Sequence, residues 1–284
     1  MKNVKNVNRV GDQVYPITML AYGDPGSMTQ ISRRTPLPID NHQELIRRGL
    51  VAGVTGWNKF GYRTGLTAAG GEQTIWAAEG NFTPMQAAGA FTVSYNPVTD
   101  GVGTTGATQV YFYYLTADGI PAIMPHTLGS TGSDTTSFTG LGINRCVVAA
   151  NGGATYNVSD ITVFSNGSPG EIQAFIPATQ SVTQQGIFFT GTGYTAIARF
   201  LDLSVDVATK TAVILIKGYV YNRQFDTRFE IYRTVIDTSV ELRASLTDPI
   251  GFVLNSTDVL YFVADSDSNS VDIHLRFSLN VYAN

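Results

Sequence analysis

The sequence predicts an all-β protein: two β-sandwich domains, the second jelly-roll-like, preceded by an extended N-terminal arm with at most one short helix. Three observations carry this. Between Val271 and Val281, Val271, Ile273, Leu275, Phe277, Leu279 and Val281 hold the odd positions, and Asp272, His274, Arg276, Ser278 and Asn280 the even ones. That is the period of a strand with one buried and one wet face. From Leu50 onward, runs rich in β-branched and aromatic residues recur about every 8–15 residues between Gly, Asn and Ser turns, the rhythm of sandwiches and barrels. Before Leu50, Pro16, Asp24-Pro25-Gly26, Pro36 and Pro38 punctuate the chain too often for a packed sheet.

Composition narrows the class. The 284 residues suffice for two β-domains of ordinary size. Mean hydropathy is +0.04 and only 14% of residues are charged, against about 25% in average usage. Thr, Ser, Asn, Gln and Gly replace the missing charge, a pattern that suits particle-associated proteins meeting other protein surfaces. No apolar run reaches the ~18 residues of a membrane span, and Met1-Lys2-Asn3-Val4-Lys5 lacks the apolar core of a signal peptide. The single cysteine, Cys146, lies in an apolar run; it reads as a small buried hydrophobe and excludes an internal disulfide framework.

Charge is graded along the chain. Residues 1–63 carry nine Lys/Arg against four acids, whereas residues 64–198 carry only Arg145 against seven acids. A basic segment on an acidic body fits docking onto an acidic neighbour, another copy included. Without aromatic–basic interleaving or a run of like charge, it argues against nucleic acid.

Taken in order, residues 1–49 read as the arm. Asp40 can cap one short helix, with Gln43 three residues on and Glu44 to Arg48 as its body. Arg33, Arg34, Arg47 and Arg48 are its candidate partner-docking residues. Residues 50–168 read as the first sandwich, with strands at Val51 to Phe60, Phe91 to Tyr95, Thr108 to Leu115, Phe138 to Ala150 and Asn157 to Phe164. Asp118-Gly119 signals a hairpin. Asn166-Gly167-Ser168-Pro169-Gly170 reads as the linker to the second sandwich, residues 169–284. There Val213 to Ile216, apolar on both faces, reads as a sheet centre. Phe225, Thr227, Phe229 and Ile231 alternate against Asp226, Arg228 and Glu230, and Pro249 and Asp258 read as edge markers.

The segment order resembles a known family. Gly49-Leu50-Val51-Ala52-Gly53 leads to Lys59-Phe60-Gly61-Tyr62, and Glu72-Gln73-Thr74-Ile75-Trp76 to Gly80-Asn81-Phe82. Asp100 precedes Thr104-Thr105-Gly106-Ala107, and Leu115-Thr116-Ala117-Asp118-Gly119 follows a strand. Asn144-Arg145, Gly152-Gly153 and Asp160-Ile161-Thr162-Val163 close the block, and Asp248-Pro249 and Ser256-Thr257-Asp258 continue it. Over residues 45–284 this resembles proteins encoded in the structural gene modules of tailed bacteriophages, although Ala77-Ala78-Glu79 departs from the expected Gly/Asp-rich turn. The resemblance implies a virion component, associated with head, neck or tail, that assembles with itself and other virion proteins and has no catalytic role. It carries over no functional residues. The alternative is a receptor- or glycan-binding module of a fibre, with Tyr111, Tyr113 and Tyr221 as stacking surfaces.

Other motifs are weaker. Gly101, Gly103 and Gly106 satisfy G-x-G-x-x-G, but a strand follows where the dinucleotide mechanism needs a helix. Asp265, Asp267 and Asn269 open like a calcium loop, yet Ser270 and Arg276 stand where glycine and glutamate belong. His42, His126 and His274 form no ligand-spaced cluster, and no Gly-x-Ser-x-Gly is present. Sequons at Asn81, Asn157, Asn166 and Asn255 read as chance matches in a chain this rich in Asn, Ser and Thr. The expectation is therefore no enzyme, cofactor, metal or membrane.

Overall fold

The computed structural model describes residues 50–166, 170–207, 212–238, 243–268 and 270–284, and, before them, 6–10, 13–17, 21–22, 29–30 and 45–46. The chain divides into two compact units, Met1–Arg48 and Gly49–Asn284. In the first, β1 (Asn6–Val10) pairs antiparallel with β2 (Gln13–Ile17), and β3 (Ala21–Tyr22) with β4 (Thr29–Gln30). The expected extended arm thus contains two short antiparallel pairs. Pro16 is accommodated opposite Val7, as proline can be in a strand with a free edge. Leu45 and Ile46 are helical; the rest of the expected helix, with Arg33, Arg34, Arg47 and Arg48, lies outside the described residues.

The second unit is all-β. Its strands are β5 (Val54–Leu66), β6 (Gln73–Thr74), β7 (Gly89–Ser94), β8 (Ala107–Thr116), β9 (Pro121–Thr127), β10 (Ser133–Asn151), β11 (Ile161–Ser165) and β12 (Ile172–Ile176). They continue with β13 (Ile187–Phe189), β14 (Tyr194–Val207), β15 (Val213–Asn222), β16 (Thr227–Asp237), β17 (Arg243–Pro249), β18 (Val253–Leu254), β19 (Val259–Ser266) and β20 (Val271–Ala283). One sheet has the order β12-β11-β7-β10-β8-β9. The 19-residue β10 serves it twice, pairing with β7 through its first half and with β8 through its second. Its core joins Phe91, Val93, Phe112, Ile143, Cys146 and Ile161.

The other two sheets form a sandwich. Its layers are β17-β14-β20-β5, with β18 on β14, and β13-β19-β15-β16, with β6 on β19. β20 behaves as its alternation predicts: all six odd residues are buried, and Phe277 meets Phe262 of the facing sheet with ring centroids 5.3 Å apart. Each such side chain withdrawn from water contributes roughly 1.5–3 kcal/mol. The outer face of the β19–β15 layer is also covered. There Tyr219, Tyr221, Tyr261 and Val263 pack with Trp76, Phe82, Leu115 and Phe189.

The sheets do not respect the boundary the sequence suggests at 168/169. β5, expected in the first sandwich, runs along β20 from Val54↔Tyr282 to Leu66↔Val271, and β6 pairs with β19. Conversely, β12 belongs to the six-stranded sheet. The strands on either side of Asn166–Gly170, β11 and β12, are antiparallel neighbours in one sheet, so the stretch does not divide two domains; Gly, Pro, Asn and Ser are shared by turns and linkers alike. Two smaller expectations also change. Asp258 precedes β19, an interior strand, whereas β16 is an edge. In β16 the odd residue Phe229 is 54% exposed instead of buried, and Ile231 is the extra residue of a bulge opposite Gly218 and Tyr219. Pro249 does end an edge strand, and β15, as expected, lies inside its sheet.

Candidate functional site

An open cleft of about 780 Å³ lies where the wet face of β5, β20 and β14 meets Arg145 and residues 180–185. Strand alternation builds it. The residues that send Leu275 and Leu203 inward send His274, Arg276, Asp202 and Ser204 outward, beside Asn58, Phe60 and Tyr62 of β5. His274 stacks on Tyr62 at 4.4 Å, and the Arg276 guanidinium lies 5.6 Å from the Phe60 ring and 5.9 Å from that of Phe200. Arg145 rests 5.5 Å from Trp57 and 6.0 Å from Tyr113, and its Nη2 donates to the Asn58 carbonyl at 3.1 Å. Arg145 and Arg276 are thus held by aromatic faces.

Two further cations line the inner side of β5. Lys59 is buried and donates to the Asn144 carbonyl; Asn144 in turn donates to the Phe189 carbonyl and accepts from the Phe189 N–H. Burial, reinforced by Arg145, holds the Lys59 amine well below its ordinary pKa. Arg63 donates through Nη2 to Gln73, while its buried Nε and Nη1 have no hydrogen-bond partner among the described residues. Inward charges of this kind keep an edge strand from pairing further.

Chemically, the cleft offers guanidinium, imidazole, amide and hydroxyl groups to a polar ligand. Ser204 and His274 are cross-strand neighbours, but among the described residues no hydrogen bond joins them. The nearby Asp272 carboxylate accepts from the Gly65 N–H at 2.8 Å. Ser204, His274 and Asp272 therefore do not form the hydrogen-bonded relay of a base-activated nucleophile.

The remaining sequence candidates are placed as follows. Gly101, Gly103 and Gly106 belong to a loop fastened by buried Asp100. Its Oδ1 accepts from Ala107 N (2.6 Å) and Val158 N (3.0 Å), and its Oδ2 from Ser159 N (2.7 Å) and Ser159 Oγ. A Cβ on Gly106 would stand 2.2 Å from Asp100 Oδ1, so glycine serves the carboxylate rather than a phosphate. Asp267 Oδ1 accepts from Val213 N at 2.8 Å, and no group of three or more potential metal ligands occurs among the described residues. His126 approaches Asp134, 4.0 Å away; Tyr95 OH and Gly129 N donate to the same Oδ2. Burial lowers the His126 pKa more than Asp134 raises it. Of the proposed stacking tyrosines, Tyr111 is exposed and Tyr113 is half-buried under Arg145. Tyr221 is buried, donating to Asp226 Oδ1 at 2.8 Å, so it is lost as a ligand surface. The cleft escaped sequence reading because its residues converge across three strands distant in the chain; only the polar side of each strand's alternation signals it.

No protein-family description matches the sequence, and no curated protein matches it. Among solved structures the chain is similar to one from the T13 IBDV viral particle, with 10% identity over 80% of this chain and 69% of that one and a TM-score of 0.22. It is also similar to infectious bursal disease virus VP2 of the subviral particle, with 9% identity over 86% and 82% and a TM-score of 0.21. Likeness at this level carries no argument about function.

Proposed function

We propose that the chain is a structural component of a tailed-phage virion, a head-, neck- or tail-associated decoration or assembly protein acting through protein–protein contacts and without catalysis. The observation that carries the reading is where exposed apolar side chains lie. Val98 and Val102 flank Asp100, Ile120 and Ile123 lie on and beside β9, and Phe225, Phe229 and Val235 on and beside β16. They sit at separate places on a body with few charges instead of converging on one pocket. This suits a protein gripped by neighbours on several sides. The resemblance in segment order to tailed-phage structural proteins points the same way. Its partners are other virion proteins and further copies of itself, with Arg33, Arg34, Arg47 and Arg48 facing acidic protein surface. No described helix is long and apolar enough to cross a membrane.

Deleting the gene tests the reading. Loss of assembled particles supports it; particles of normal yield and composition refute it. The cleft motivates a second reading, a receptor- or glycan-binding module of a fibre, because aromatic and amide side chains share its surface. Binding of the purified protein on a glycan array, abolished by Arg276→Ala, would favour that reading.

A further inference from the structure

The strand edges of the second unit are protected unequally. β9 carries Pro121 and Pro125, and β17 ends in Pro249. β5 holds Lys59 and Arg63 inward, and Arg145 occupies one of its carbonyls. β13 is three residues long. β16 has eleven residues and, among the described strands, a partner on one side only. It contains no proline or glycine, places no charge on its core side, and exposes Phe229 and Val235 (56%). Its outer face carries Arg228, Glu230, Arg233 and Asp237 and it bulges once at Ile231, but an eleven-residue edge with no proline and no inward charge still offers a template for another strand.

We propose that β16 pairs antiparallel with β16 of a second copy about a two-fold axis, joining the two sheets into one continuous sheet, with Glu230 of each copy opposite Arg233 of the other. The bulge at Ile231 makes this register self-consistent. Glu230 and Arg233 both lie on the outer face, next to Tyr219 and Lys217 respectively. Phe229 and Thr234, which the register also places opposite each other, both lie on the core side, next to Val220 and Ile216. Without the bulge, residues three and five positions apart would lie on opposite faces. Within one chain Arg233 already grips Glu230 through two hydrogen bonds, Nε to Oε1 at 2.7 Å and Nη2 to Oε2 at 2.9 Å. Two copies therefore present an alternating quartet of charges, the arrangement an isologous interface requires. The same register covers Phe229 and sets Val235 against Arg228, whose guanidinium is already stacked 4.2 Å from Tyr219.

The inference deepens the reading of the chain as a self-assembling component. Its test is the oligomeric state of the purified full chain by sedimentation velocity across protein concentration. The wild type should dimerise. Glu230→Arg and Arg233→Glu should each weaken the dimer by about tenfold or more, since each sets like charges face to face, with unchanged melting temperature because an exposed pair stabilises little. The double variant E230R/R233E should restore the dimer, and Phe229→Lys should abolish it. A monomeric wild type, a dimer indifferent to the single reversals, or a double variant that remains monomeric overturns the pairing. None of these outcomes bears on particle assembly after gene deletion, so the two readings fail separately.

Discussion

Gly61 lies where β5 crosses the segment leading into β13, and replacing it tests whether that crossing holds the layers together. A Cβ there would stand 2.6 Å from Ile75 O, 2.7 Å from Gly186 N and 3.0 Å from Gly186 Cα, all backbone atoms. Gly186 N donates to Ile75 O at 3.0 Å, so the intruding methyl presses on both ends of one hydrogen bond. Reaching an ordinary contact of about 3.4 Å requires the two backbones to part by about 0.8 Å. Overpacking of this kind costs about 1–3 kcal/mol, and weakening the bond adds about 1 kcal/mol. Reduced freedom of the unfolded chain returns about 0.4–1 kcal/mol. Gly61→Ala should therefore destabilise by about 2–3 kcal/mol, a fall in Tm of about 4–12 °C for a unit of this size. Gly251→Ala is the control: among the described residues no atom beyond its chain neighbours lies within 4 Å of the point its methyl would occupy and its φ is ordinary, so its Tm should hold or rise. Thermal unfolding followed by circular dichroism reads both. If Gly61→Ala melted with Gly251→Ala, the close crossing would be refuted.

Three further outcomes are expected. Leu275→Asp should prevent folding, because it sets a carboxylate among Leu203, Ile273 and Phe277 at a cost of several kcal/mol, whereas Arg276→Asp on the wet face should be mild; similar melts for the two would invert the face assignment. Asp100→Ala should cost about 3–5 kcal/mol in urea denaturation, since it strands three buried or half-buried N–H donors at once; a loss under about 1 kcal/mol would show that water replaces the carboxylate. Lys59 gives a pH signature. Its folded pKa is lowered, so between that value and about 10.4 the unfolded chain binds more protons and stability rises with pH. Lys59→Met should flatten the rise, making its stability relative to wild type less favourable at pH 9.5 than at pH 7; parallel pH profiles would contradict the burial of the amine.

The fold class and the long last strand were legible because a period of two survives in β20 from Val271 to Val281 without interruption. Pairing partners were not legible. Nothing in Val54–Leu66 names β20 as its neighbour, since its inward positions are Lys59, Gly61 and Arg63, which break the apolar period. The Asn166–Gly170 stretch misled for a related reason: Gly, Pro, Asn and Ser serve connections within a sheet and between domains alike, and the pairing of β11 with β12 is not written in them. In β16 the alternation of Phe229 and Ile231 was real, but burial depends on what lies beside a strand, and one bulge shifts its phase. Of the candidate site, His274 and Arg276 were recognisable as wet-face residues. Their convergence with Arg145 and Phe60 depends on tertiary pairing alone.

The central place of β20 has a consequence in time. On the ribosome, β5 emerges about 200 residues before the strand it pairs with, an interval of about 10–40 s at ordinary rates of synthesis. Throughout that interval Leu66 has no wall to close against, and β14 lacks the neighbour that will separate it from β5. The six-stranded sheet, whose strands all lie within residues 89–176, can close first and hold β5 near its destination through Asn144 and Arg145. Completion of this layer waits for β20, whose place is between β14 and β5. A nascent chain halted before Val271 would lack the strand that separates β14 from β5, leaving the facing edges of both unpaired.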